Sequence, residues 1–235
     1  MTDENRPCIA VIIPARNEAG ALPHVLADIP ATARHVIVVD NGSTDGTAMV
    51  ARAHGAMTVD VPVAGYGRAC LAGIAQAQQL GAEIIVFLDG DRSDYPQQMA
   101  QLVAPIIAGK ADMVIGSRML GTRARRSLTP QQMFGNRLAC WLIWRIWGFR
   151  YTDLGPFRAI RADRLHQLDM REQTYGWTVE MQVRAVQHGM AIVEVPVDYR
   201  PRIGISKVSG TVRGVVLAGY HILAMIARAA LGGPR

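Results

Sequence analysis

The chain has 235 residues, half of them hydrophobic and 19% charged, which excludes a disordered polymer and suits one domain with a short extension. Its net charge of +6 is uneven: residues 1–117 carry 7 Lys+Arg against 12 Asp+Glu (−5) and residues 118–235 carry 18 against 7 (+11), which suggests for the second half an anionic partner such as nucleic acid, a membrane surface or a phosphorylated substrate, the alternative being an arginine-rich solvated surface. Three scattered cysteines, Cys8, Cys70 and Cys140, without C-x-x-C or metal-ligand spacing, exclude a disulfide scaffold and a zinc module and suit a reducing compartment.

The opening MTDENRP is polar and acidic, unlike a signal peptide. Apolar runs at Cys8–Ile13, His35–Val39, Met57–Val61, Glu83–Leu88 and Asp112–Ile115 alternate with helical segments at Glu18–Asp28, Thr44–His54, Gly67–Leu80 and Pro96–Ala108. Ser43 or Thr44 is the expected N-cap of the second helix. This alternation predicts βαβ units and an α/β fold, with a mostly parallel central sheet covered by helices on both faces. Further on, Thr129–Trp147 predicts a long helix ended by Gly148, and TDLGPFRAIR a turn leading into a short strand. Gly176–His188 predicts a helix capped by Gly189, Ile192–Tyr199 an edge strand that tolerates Pro196, and Thr211–Leu231 a last helix.

In such sheets ligands bind beyond the carboxyl ends of the strands. Arg16, Asn17, Glu18, Asp40, Asp89, Gly90, Asp91, Ser117 and Arg118 stand at those ends and are expected to converge. Asp89-Gly90-Asp91 follows the apolar run IIVFL. Two carboxylates two residues apart at a strand end can hold a hard divalent cation, Mg²⁺ or Mn²⁺, against a diphosphate. Asp40, before Asn41-Gly42-Ser43, can accept a hydrogen bond from a nucleobase or ribose, although an Asx turn explains part of that segment. Gly65-Tyr66-Gly67-Arg68 lacks the third glycine of a dinucleotide fingerprint.

Taken in order, IIPARNEA, VIVVDNGSTDGT, GYGRA, VFLDGDRSDYP, MVIGSR and TDLGPFRAIR resemble the family-2 inverting glycosyltransferases of GT-A fold. Within them the chain is most similar to the dolichyl-phosphate mannose synthase and polyprenyl-phosphate glycosyltransferase group, over about residues 9 to 207. The resemblance implies a GT-A domain over 1–210, divided into a nucleotide-sugar-binding half (1–117) and an acceptor-binding half (118–210), with a C-terminal apolar helix at 211–235. It also implies a UDP- or GDP-sugar donor and Mg²⁺ or Mn²⁺ on Asp89 and Asp91. Pro14, Ala15, Arg16, Glu18, Asp40, Arg68 and Gly90 fall to the donor side. Asp89, Asp91, Arg118 and Asp153 form the expected catalytic set. Arg118, Glu180, Arg200, Arg202, Ser206 and Lys207 fall to the acceptor, a polyprenyl phosphate or another phosphorylated molecule. Ser93 departs from the pattern, since it stands where a Gln is common after D-x-D.

A phosphate acceptor is already ionised and needs charge neutralisation more than a base, whereas a hydroxyl acceptor would need one, with Asp153 and Glu180 as candidates. No run reaches 18 apolar residues, which argues against a spanning helix. Trp141, Trp144 and Trp147 lie among Arg137, Arg145 and Arg150, a combination suited to a bilayer interface. Gly214–Ala227 is free of charged residues and suits a buried helix, an interfacial helix or a dimer contact. Trp177 is placed either against a sugar or in the core, and His166, His188 and His221 have no ligand-spaced partners. The expected enzyme is cytoplasmic, at the inner face of the membrane. The alternatives are a soluble glycosyltransferase with a small phosphorylated or hydroxylated acceptor, and a nucleic-acid-binding protein, which the lack of any nucleic-acid motif disfavours.

Overall fold

The computed structural model describes residues 6–125, 127–204 and 212–232. The five apolar runs of the first half form β1 (Ile9–Ala15), β2 (His35–Asp40), β3 (Met57–Asp60), β4 (Ile84–Phe87) and β5 (Met113–Ser117). Every residue of β1, β4 and β5 is buried, as expected of strands sandwiched between helices. Two later strands, β6 (Arg158–Arg161) and β7 (Ile192–Pro196), complete a seven-stranded sheet of order β3-β2-β1-β4-β6-β5-β7. β6 is antiparallel to both neighbours and lies between β4 and β5, so the second half of the chain is threaded into the sheet of the first. β7 pairs parallel with β5 at the edge, where Pro196 meets Ser117.

The helices are α1 (Leu22–Asp28), α2 (Thr47–Ala53), α3 (Tyr66–Gln79), α4 (Met99–Ile107), α5 (Pro130–Trp147), α6 (Ala162–Gln167), α7 (Trp177–Gln187) and α8 (Val212–Leu231). Successive strand residues point to opposite faces, so alternate β1 positions feed two cores. Ala10 and Ile12 join Cys70, Ala139, Trp177 and Met225 beneath α3, α5, α7 and α8. Val11 and Ile13 join Leu22, Ala51 and Leu102 beneath α1, α2 and α4.

Helix α5 begins at a full capping box, with Thr129 and Gln132 exchanging side-chain-to-backbone bonds, and ends at Gly148 with φ +78°. Helix α2 starts later than expected, with Gly46 at its N-cap, because Ser43 and Thr44 are committed to another loop. The short α6 lacked a sequence signal, being six residues with one buried apolar side chain, Leu165. Helix α8 settles part of the question its composition raised: Met225 and Ile226 are buried, while Leu217, Tyr220 and Leu223 stay exposed.

Gly73 lets α3 lie close on the sheet: a Cβ there would overlap the Ile12 methyl and stand 3.1 Å from Val39 Cγ2. Gly73→Ala should therefore lower the urea midpoint. Overpacking costs about 1–3 kcal/mol, against a helix-propensity gain of about 1 kcal/mol. A raised midpoint would show that this contact does not fix the helix.

Candidate functional site

The ends of β1, β4 and β5 open into a cleft of about 400 Å³, lined in part by Pro14, Ala15, Arg16, Glu18, Gly90 and Arg118. Of the residues expected to converge, Arg16, Glu18, Asp89, Gly90, Asp91 and Arg118 line it, whereas Asn17, Asp40 and Ser117 do not. Asp89 and Asp91 share its floor. A Cβ on Gly90 would lie 3.4 Å from Ala15 Cβ, so the D-x-D turn sits flat against the end of β1.

Asp91 is buried; its Oδ1 accepts from Ser93 N at 2.9 Å and its Oδ2 pairs with Arg202 Nη2 at 3.0 Å. Asp94, missed by sequence reasoning, is also buried: Oδ2 accepts from Asp89 N at 3.3 Å, and Oδ1 has no hydrogen-bond partner. Tyr66, at the start of α3, donates its hydroxyl to Asp89 Oδ1 at 3.4 Å. Burial, then the Asp91 carboxylate, pushes Asp89 up to about 7, against the opposing pull of Arg202 and Arg118. Burial, then Asp89 and Asp91, push Asp94 well above its ordinary value as well. Two carboxylates thus meet on the cleft floor with a third, Asp94, buried behind them with an unsatisfied oxygen. The hard oxygens of Asp89 and Asp91 suit Mg²⁺ or Mn²⁺. Among the described residues no three His, Cys, Asp or Glu side chains are grouped so as to hold a metal ion, so the remaining ligands would come from a diphosphate or water.

The opposite wall is built on Asp153. It is wholly buried and accepts from Arg118 three times: from N and Nε at Oδ2, and from Nη2 at Oδ1, each at 2.8 Å. Burial alone would lower the Arg118 guanidinium, but Asp153 more than offsets it and raises it above its ordinary value. Arg118 also lies over the Tyr199 ring at 5.1 Å. The loop carrying Asp153 is held from several sides. Glu194 of β7 accepts from Thr152 N and Asp153 N. Asn136 of α5 accepts from Leu154 N, and Gln182 of α7 donates to Asp153 O. The fully buried Arg158 donates to the carbonyls of Thr178, Leu154 and Gly155.

The donor-side loops interlock. Asn17, with φ +53°, receives Thr44 N on its Oδ1 at 2.8 Å and donates its own N–H to Ser43 Oγ at 3.0 Å. Asp40 Oδ1 accepts from Ser43 N, the Asx turn the sequence suggested, and its neighbour Asn41 lines the cleft. Gly67 serves close packing of backbone on backbone, since a Cβ there would overlap Glu172 O and stand 2.7 Å from Gln173 C. The first N–H groups of α3 are used in the same contact: Gly67 N donates to Thr174 O and Arg68 N to Gln173 O. Arg68 reaches Gln173 Oε1 and Ala64 O.

On the acceptor side, the structure brings Arg118 and Arg202 together in the cleft but not Arg200 or Glu180. Arg200 is a brace: it donates to Arg92 O, Asp94 O and Asp28 Oδ2 and stacks on Tyr95 at 4.3 Å. Glu180 accepts from Arg171 N, Glu172 N and Arg184 Nε, so it anchors the loop before α7. Ser206 and Lys207 lie outside the described residues. Trp177 belongs to the core, edge-on to Phe87 at 4.8 Å. Asn136, Gln182 and Glu194 carry no motif signal. Asp94, three residues after D-x-D, and Tyr199, beside the expected arginines, were within reach of the pattern.

Beyond Arg118 a second cavity of about 730 Å³ runs between α5 and α8, walled by Leu138, Ala139, Leu154, Ile222 and Leu223 with Gly135 on its side. It shares Arg118, Gln132, Leu154, Thr178, Ala218 and Ile222 with the cleft. Phe134, on its lining, is 70% exposed, and Trp141 of α5 and Tyr220 of α8 are 51% and 66% exposed. Arg150 covers Trp144 at 4.5 Å. Among the described residues no helix is long and apolar enough to cross a membrane.

The crowded floor has a consequence for stability. Asp89 holds its proton to about 7 in the fold, against an ordinary value of 3.8, so the folded state binds more protons between those values and stability falls as pH rises through them. In metal-free protein Asp89→Asn should raise Tm at pH 8 and change it little at pH 4. The relief is on the order of 1 kcal/mol or more, or roughly 2–4 °C per kcal/mol. A lower Tm at pH 8 would show that the carboxylate is stabilised rather than strained there.

Known proteins place this architecture. The sequence model of Glycosyl transferase family 2 matches residues 10–167. An uncharacterised glycosyltransferase of Mycobacterium tuberculosis is 37% identical over 211 residues, covering 89% of this chain and 94% of the relative. Undecaprenyl-phosphate mannosyltransferase of Micrococcus luteus is 33% identical, covering 94% and 95%. Polyprenol monophosphomannose synthase of Mycolicibacterium smegmatis is 30% identical, covering 86% and 81%. Glucosyl-3-phosphoglycerate synthase of M. tuberculosis, solved with Mn²⁺, UDP-glucose and phosphoglyceric acid, superposes with a TM-score of 0.76 at 22% identity, covering 95% of this chain and 80% of that one. The fold is the GT-A arrangement that the motifs implied, and the chain belongs to glycosyl transferase family 2.

Proposed function

We propose that this glycosyltransferase moves a sugar from a UDP- or GDP-sugar to a polyprenyl phosphate at the cytoplasmic face of a membrane, with inversion and with Mg²⁺ or Mn²⁺. The carrying observation is the apolar cavity that opens onto Arg118 from between α5 and α8: it suits a hydrocarbon chain whose phosphate ends at the arginine. The named relatives that act on undecaprenyl phosphate or make polyprenol monophosphomannose support the same acceptor class.

The commitments of the carboxylates agree with it. Both candidate bases are engaged, Asp153 by Arg118 and Glu180 by the 171–172 backbone and Arg184, which leaves neither poised to deprotonate a hydroxyl. A phosphate oxygen needs no such base. In this reading Arg118 and Arg202 grip the acceptor phosphate and aim one oxygen at the anomeric carbon, Arg118 in a fixed position because Asp153 holds its fork. Asp89 and Asp91 would hold the cation, whose charge would offset that of the departing nucleoside diphosphate. Pro14–Glu18, Asp40 and Arg68 serve the nucleoside end, and Tyr66 orients Asp89. The exposed Phe134 and Trp141 of α5 and Tyr220 of α8 rest on anionic lipid, with Arg137, Arg145 and Arg150 in and just after α5 to meet its headgroups.

The second reading, a small phosphorylated acceptor, draws on the likeness to the phosphoglycerate-bound synthase. Transfer assays across UDP- and GDP-sugars with polyprenyl phosphate and with 3-phosphoglycerate decide between the two. Gly135 has open space where its Cβ would be, so Gly135→Phe should fill the cavity without disturbing the core. KM for a long-chain polyprenyl phosphate is expected to rise about tenfold, ~1.4 kcal/mol, with little change for geranyl phosphate. Transfer to 3-phosphoglycerate alone would move the assignment to the soluble reading.

Membrane contact has its own test. The protein should sediment with phosphatidylglycerol vesicles, with a blue-shifted tryptophan fluorescence that Trp141→Ala diminishes. A concentration-dependent dimer without vesicle binding would instead assign the exposed face of α8 to a second copy of the chain.

A further inference from the structure

The segment after β7 lies along the D-x-D turn as a strap. Arg200 N donates to Ser93 O at 3.0 Å and Ile203 N to Asp91 O at 2.9 Å, so residues 200–203 follow residues 91–93 through the backbone. The two arginines of this strap behave differently. Arg200 is fixed by carbonyls, by Asp28 and by the Tyr95 ring. Arg202 reaches into the cleft and places Nη2 3.0 Å from Asp91 Oδ2. Its side chain keeps 28% exposure, whereas that of Asp91 keeps 6%. A guanidinium therefore stands against one of the two carboxylates that fit a divalent cation.

We propose that Arg202 is an internal counter-ion of Asp91, which a divalent cation must displace, and that its displacement releases the guanidinium to take the acceptor phosphate. The inference rests on the reading of Asp89 and Asp91 as the cation and diphosphate site. A buried carboxylate left without a counter-charge is strongly destabilised. In the free protein Arg202 supplies that charge. When a cation and the nucleoside diphosphate load, Asp91 no longer needs the arginine, which lines the same cleft as Arg118. Linkage makes the effect reciprocal: what frees Arg202 favours the acceptor, and what engages Arg202 with the acceptor favours the cation. The order that follows is donor with cation first, acceptor second. No bond is made or broken; one ion pair is exchanged for two.

The experiment is a Mn²⁺ titration of the full chain without donor, read by electron paramagnetic resonance of the free ion, for wild type, Arg202→Gln, Arg202→Lys and Asp91→Asn. Arg202→Gln should bind Mn²⁺ more tightly than wild type, by about fivefold or more. Arg202→Lys should stay near wild type because it keeps the competing charge. Asp91→Asn should bind weakly. In steady-state kinetics the same Arg202→Gln variant should raise KM for geranyl phosphate while its Mn²⁺ requirement falls. Equal or weaker Mn²⁺ binding by Arg202→Gln, with binding still dependent on Asp91, overturns the counter-ion role and leaves the site reading standing. Mn²⁺ binding that ignores Asp91, or is missing from every variant, overturns the site reading and this inference with it.

Discussion

A buried negative charge with no escape to water organises this molecule. Asp153 has no exposed surface, and a carboxylate in that position is tolerated only with a matched cation and filled lone pairs. Arg118 supplies the cation in a bidentate fork plus a backbone N–H. The loop around Asp153 is then tied to β7 by Glu194, to α5 by Asn136 and to α7 by Gln182. Arg158 gathers three carbonyls of the same neighbourhood without any carboxylate of its own. Five elements, β5, β6, β7, α5 and α7, thereby agree on where one guanidinium stands. Arg118 is placed by satisfaction of a core charge rather than by its own contacts at the surface.

The opposite side of the cleft is organised by frustration. Burial and the neighbouring Asp91 raise the proton affinity of Asp89, burial with Asp89 and Asp91 raises that of Asp94, and one oxygen of Asp94 finds no partner. Sites that must receive charge from a ligand commonly retain such local conflict, which the rest of the fold outweighs. The two cores on either face of the sheet provide that surplus, with β1, β4 and β5 buried along their whole length. The fixed Arg118 and the Asp89–Asp91 floor line one cleft of about 400 Å³.

Much of this was legible in the residues. Apolar runs such as Ile84–Phe87 announced buried parallel strands, and the polar residues after them marked the cleft because strand ends in such sheets face one way. What stayed hidden was long-range. β6 spans four residues, two of them arginine, so no periodicity announces its place between β4 and β5. Glu180 and Asp153 look alike as acids in an arginine-rich region, and only their three-dimensional partners separate a loop anchor from the carboxylate that holds Arg118. Arg200 and Arg202 are two residues apart in one motif, yet one braces a turn and the other enters the cleft. Gly67 stands in a segment that falls short of a dinucleotide fingerprint, and what it accommodates is the Glu172 carbonyl, more than one hundred residues away.

The antiparallel insertion of β6 sets how the chain can assemble as it leaves the ribosome. β1 to β4 can pair as they emerge, since each finds its neighbour within the first 87 residues. β5 has no such neighbour: its partners are β6 and β7, and the gap beside β4 is filled only when residues 158–161 appear. Until then the nascent chain exposes two open edges of apolar strand, the feature that invites pairing with other chains. The cleft cannot form earlier either, because Asp153 and Arg118 meet across the same junction. Closure of the sheet and assembly of the cleft therefore both wait for residues 153–161 to leave the ribosome.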